Sequence, residues 1–201
     1  MFVDELPPGQ KWRRFELKAL GLRDFARVRP DLPLDPFSLA RFANLLVLSF
    51  EQIAGLSEST RTHLLGAAAE EWSGGACSLP DGTKLVILNP THGRSRTNAT
   101  LMEEICHVFL GHQPNRLSLV TKDERGKVMS RDYRKMDEEE AYATGAAALV
   151  PYASLKRLLN EGKLAADIAR HFRVSRELVQ YRLKVTHLWQ QYKSIHGTAG
   201  K

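Results

Sequence analysis

Apolar positions along the 201 residues fall in short blocks whose spacing changes from one block to the next. After Pro33 and Asp35-Pro36 come Phe37, Leu39, Ala40, Phe42, Ala43 and Leu46, the period of one helix face within residues 34–50. Residues 45–50 also read as a strand following that helix. Residues 57–69 are Ser-rich and then helix-like. Residues 72–79 and 84–89 flank Pro80-Asp81-Gly82, which predicts a β-hairpin, and Leu85-Val86-Ile87-Leu88 is the most strand-like run of the chain. Asn89-Pro90 breaks the sheet. Asn98 or Thr100 then opens a helix through Leu110, ended by Gly111 and Pro114.

Residues 116–120 and 128–133, around a charged turn, predict a second hairpin. Residues 137–150 are Ala-rich and begin with acids, so a helix with carboxylates at its positive end is expected, closed by Pro151. Helices over 154–160, 164–172 and 176–192 complete the chain. The order predicts an α+β fold, a domain with a small antiparallel sheet, followed by a helical module. The expected divisions are an N-terminal extension 1–33, a main domain 34–151, a helical module 152–195 and a tail 196–201.

Composition changes the picture little. Apolar residues make up 43% and charged residues 26%, ordinary for a globular chain that buries one core plus a small module. No apolar run approaches the roughly 18 residues of a membrane span. The charged N-terminal stretch is not a secretory signal. Two cysteines make no disulfide framework, so a reduced, cytoplasmic setting is expected. Charge is more telling. From Pro151 onward ten Lys or Arg face three acids, a surplus of +7, so the first 150 residues sum to about −1 although the whole chain carries +6. Such a basic end suggests an anionic partner.

The candidate chemistry lies in residues 96–112. Glu103 and His107 are four apart, so one helical turn places both on one side, and Glu104 sits about 100° round the axis. A third donor can come from the acidic start of the later helix, at Glu138 or Glu140.

Arg96, Thr100, Glu104, His107, Leu110, Gly111 and His112, with Glu138, Ala141, Ala147, Leu149 and Pro151 downstream, resemble the ImmA/IrrE family of metallopeptidases over roughly residues 34–190. The family's His-Glu-x-x-His reads Glu103-Glu104-Ile105-Cys106-His107 here, and Tyr142 stands where an Asn is usual. The resemblance implies a zincin-like fold around an active-site helix. It implies one divalent metal held by Glu103, His107 and Glu138, with Glu104 as general base. Zinc is the first expectation, with manganese or iron as alternatives, because a second carboxylate favours harder ions. It also implies a protein substrate, a helix-turn-helix repressor among the candidates. An extended substrate is expected to pair with residues 84–89 as an edge strand. The Glu for His exchange leaves a second reading open, an inactive zincin-like protein that binds DNA or a regulator.

His112 reads as a cap or packing residue. His92 sits in a loop near the site in sequence, Cys106 reads as a buried thiol, and Tyr133 and Tyr142 are candidates for an oxyanion donor, with packing as the other role for either. Residues 165–183 resemble a helix-turn-helix, with Ser175 capping the second helix and Arg173 at the turn position where Gly is common. In that reading Arg176, Glu177 and Gln180 read bases, and Arg173 and Arg182 touch phosphates.

Overall fold

The computed structural model describes residues 5–79, 83–112 and 135–197. The second hairpin expected over 116–133, with Tyr133, lies outside them. The chain begins with α1 (Gln10–Phe25), an element the sequence pattern did not reveal. Its buried positions Phe15, Ala19 and Leu22 follow helical spacing. The Arg23 guanidinium, itself buried, donates to the carbonyls of Ala148, Arg29 and Leu32. Burial pulls its pKa down to about 10, against the charges of Asp31 and Glu16.

Next come α2 (Pro36–Phe42), capped by the Asp35 carboxylate, and β1 (Leu45–Leu48). α3 (Glu58–Leu65) leads to β2 (Gly74–Ser78) and β3 (Lys84–Leu88). The hairpin β2–β3 is antiparallel, as the alternation predicts, but β1 pairs parallel to β3, with Val47 opposite Val86. The sheet is therefore mixed, in the order β1-β3-β2, and not purely antiparallel. Residues 84–89 are also not the edge expected to receive a substrate. β3 is hydrogen-bonded on both sides, which fits its apolar run, and β1 and β2 are the edge strands.

α4 (Arg94–Phe109) starts earlier than Asn98, behind the extended Gly93. The Thr97 hydroxyl donates back to the Gly93 carbonyl within the first turn, so polar residues that resemble a cap lie inside the helix. Two devices bring α4 close to its neighbours. A Cβ on Gly74 would stand 2.8 Å from the Thr100 methyl and 3.1 Å from the Ile87 carbonyl, so only glycine lets β2 lie this close to α4. On the other side stands α5 (Lys135–Leu149), where Ala141, Gly145 and Ala148 follow one stripe and are fully buried or nearly so. A Cβ on Gly145 would meet Met102 and the Cys106 thiol at 3.4–3.5 Å. Small side chains all round α5 let α1 and α4 pack on it from both sides, which is why its sequence shows no amphipathic contrast.

The end is helical as expected: α6 (Tyr152–Asn160), α7 (Ala165–Phe172), α8 (Arg176–Val185) and α9 (Trp189–His196). The helix expected over 176–192 is two. His187 takes a left-handed φ of 62°, with Leu188 N–H donating to the Leu183 carbonyl and His187 N–H to Lys184. This closes α8 as a glycine would, without a glycine to announce it. One buried cluster runs from Ala19 through α4 and α5 to Leu183 and Leu188, so the C-terminal helices share the core.

Candidate metal centre

The buried face of α4, with Leu101, Met102, Ile105 and Cys106, faces the core and α5. That leaves Glu103, Glu104 and His107 toward a cleft of about 760 Å³. Glu138 lies on the same stripe of α5 as Ala141, Gly145 and Ala148, one turn nearer the N-terminus. The close approach of the helices therefore carries Glu138 to His107. The His107 Nε2–Glu138 Oε1 distance is 3.9 Å. One donor atom each from Glu103, His107 and Glu138 all lie within 4.8 Å of one another. Glu140 points elsewhere, with its Oε2 3.7 Å from His112 Nε2 and its Oε1 2.5 Å from Lys18 Nζ. Of the two acids open as a third donor, Glu138 is the one brought to the imidazole.

The donor set suits a divalent cation. Two carboxylates and one imidazole supply two negative charges and three lone pairs. With bonds of about 2.0–2.2 Å, donors of a tetrahedral site stand about 3.4 Å apart, so a contraction of about an ångström closes the present spacing. Glu138 is on the first turn of α5 with its side chain 43% exposed, placed to make that movement. His107 is nearly buried, 6% exposed at the side chain, and supplies the fixed point.

Glu104 is buried and lines the cleft beside these three. The opposite walls come from residues that the sequence did not assign to this site. Trp72, Ser73 and Gly74 belong to the approach and first residue of β2, and Ser175, Glu177 and Leu178 to the start of α8. Arg96 also lines the cleft and donates to Glu70 at 2.8 Å and to the Ser73 hydroxyl at 3.2 Å. This hydrogen bond holds the Glu70 carboxyl below its ordinary range. Tyr142 lines the cleft too, stacked edge-on with Tyr181 at 5.0 Å. Burial, then the Glu103 charge, raises the Tyr142 pKa, and burial pushes Tyr181 up to about 12. Both hydroxyls therefore stay protonated across neutral pH. His92 is not among the cleft residues and faces the Asn89 amide. Cys106 is fully buried, its thiol pushed up by burial and then by Glu103.

One nucleic-acid expectation is corrected. Arg182 does not reach a phosphate: it is 1% exposed, donates to Glu16 at 2.5 Å and to the Val150 carbonyl at 3.0 Å, and ties α8 to α1. The same Glu16 accepts from the Tyr152 amide at 2.6 Å. Arg173 and Arg176 are exposed and Gln180 is half-buried. Ser175 caps α8 as expected, at 3.1 Å from Leu178 N. The first turn of that helix borders the same cleft, whereas a groove-reading helix presents this turn to DNA.

An α+β domain with a small sheet, a helix bearing Glu103, Glu104 and His107, and a helical C-terminal part define a zincin-like protein. Residues 45–184 match the sequence profile of the IrrE N-terminal-like domain, and the chain belongs to that family of peptidases. The match runs from β1 into α8, so α7 and most of α8 belong to the family domain, while α1 and α2 precede it. No curated protein matches the chain.

Proposed function

We propose that this chain is a metal-dependent endopeptidase whose centre is Glu103, His107 and Glu138. The observation that carries the reading is the convergence of these three donors, from two helices, beside the buried Glu104 in one cleft. A divalent cation held by them supplies Lewis-acid polarisation of a peptide carbonyl and of water. Glu104 stands one residue from a ligand yet outside the donor group, so it takes the proton of the attacking water and passes it to the leaving amine nitrogen. Tyr142, protonated at neutral pH, presents a phenol donor to the cleft where an oxyanion develops.

The substrate is a polypeptide in extended form. It runs along β2, the edge strand whose Gly74 lines the cleft, and passes between that strand and the start of α8. A regulatory repressor is the substrate class suggested by the family resemblance. Two carboxylates would cancel the charge of a divalent ion, so the ion held here would acidify water less than one held by two imidazoles and one carboxylate.

Substitution Glu104→Gln tests the reading. Hydrolysis of an unstructured protein such as casein is expected to fall about 10²–10⁴-fold, with zinc content per chain unchanged. Undiminished hydrolysis in Glu104→Gln, or loss of zinc together with activity, contradicts the assigned role.

A further inference from the structure

We propose that His112, backed by Glu140 and Lys18, is a positioning residue that keeps a proton on Nδ1 of His107, so that His107 offers its Nε2 lone pair to the pocket formed with Glu103 and Glu138. The proposal rests on the metal-centre reading above and extends it to residues outside the donor set.

On an uninterrupted helix His112 would lie about 140° round the axis from His107. The chain does not continue as a helix. Gly111 takes a left-handed φ of 69°, Gly111 N–H donates to the Val108 carbonyl at 3.1 Å, and His112 N–H donates to the His107 carbonyl at 2.9 Å. This helix-ending motif normally brings an apolar residue back onto the last turn. Here it brings an imidazole. The ring of His112 meets that of His107 edge-on, 5.1 Å between centroids, with the two Nδ1 atoms 3.1 Å apart and the His112 side chain only 8% exposed.

Two Nδ1 atoms at that distance share one proton, and the two ways of placing it have opposite consequences. With the proton on His112, a neutral His107 carries its hydrogen on Nε2 and has no lone pair facing Glu138. With the proton on His107, Nε2 turns a lone pair to the pocket, and neutral His112 carries its hydrogen on Nε2. That second atom faces Glu140, whose Oε2 lies 3.7 Å away while Lys18 Nζ holds Oε1 at 2.5 Å. A carboxylate there favours a hydrogen on His112 Nε2 and so selects the second arrangement. Glu103 and Glu138 pull the other way, toward a hydrogen on His107 Nε2 that a cation must displace. An acceptor at His112 Nδ1 opposes that pull. The line Lys18–Glu140–His112–His107 thus orients the ligand from behind.

The test uses the full chain with zinc as probe. In the zinc-free protein, ¹⁵N-resolved ring spectra are expected to show a protected proton on His107 Nδ1 and none on His112 Nδ1. By chelator competition, His112→Leu is expected to weaken zinc binding about 10–100-fold. His112→Asn, whose Oδ1 replaces the accepting Nδ1, is expected to retain affinity to within about threefold of wild type. A proton found on His112 Nδ1 overturns the proposal, as do equal losses in the Asn and Leu variants or unchanged affinity in His112→Leu. If the wild-type chain binds no zinc, the metallopeptidase reading fails, and the ring spectra still decide whether His112 accepts from His107.

Discussion

His107 Nε2 stands 3.9 Å from Glu138 Oε1 across the contact of α4 with α5, and the glycine and alanines of α5 are what bring them there. Neither residue is placed by a loop. Both sit on helices locked into the core by Met102, Cys106, Gly145 and Ala148, so the spacing of the donors is set by helix packing.

The position of Glu103 sets the character of the site. In the proposed centre, replacing it by histidine would give a donor set of two imidazoles and one carboxylate, softer and less negative. Glu103→His is expected to raise zinc affinity roughly tenfold or more, the scale on which changes around a ligand act, and to raise kcat/KM for an unstructured protein. Wild type is expected to favour manganese or iron relative to that variant. Competition titrations with zinc and manganese on both proteins check this.

Gly74 is a structural requirement of the cleft. An added methyl meets Thr100 Cγ2 at 2.8 Å and the Ile87 carbonyl at 3.1 Å, and the second neighbour is backbone that cannot turn aside. Gly74→Ala is expected to destabilise the fold by about 1–3 kcal/mol. Adding Thr100→Ser removes the first contact and is expected to restore part of the loss. Thermal unfolding of the single and double variants measures both.

The ion pair of Arg182 with Glu16 is buried at 1% exposure on each side. Arg182→Met leaves the Glu16 carboxylate buried beside the Tyr152 amide without its cationic partner, so a loss of about 3–5 kcal/mol is expected. The exposed Arg176→Gln is expected to change stability by no more than about 0.5 kcal/mol. Denaturant titration of the two variants separates a structural arginine from a surface one.

Much of this architecture is legible in the sequence, because helical spacing alone places Glu103, Glu104 and His107, and alternation alone predicts the β2–β3 hairpin. The apolar run of β3 shows a strand, but not that β1 joins it in parallel, since pairing is decided by what packs above the sheet. α1 escapes notice because its buried face includes the charged Glu16 and Arg23 while Leu17 and Phe25 lie exposed. Arg182 looks like a surface cation until the fold supplies Glu16 from the far end of the chain. His112 is misplaced by any helical projection, since Gly111 reverses the chain just before it. The walls of the cleft, from β2 and α8, are assembled by tertiary packing and carry no local signal.

The most direct measurement is anomalous diffraction from crystals of the full chain loaded with one equivalent of zinc. One strong peak is expected among Glu103, His107 and Glu138, with bonds of about 2.0–2.2 Å to the two carboxylates and to Nε2 of the histidine. A peak elsewhere on the molecule, or none among these three side chains at full loading, contradicts the account.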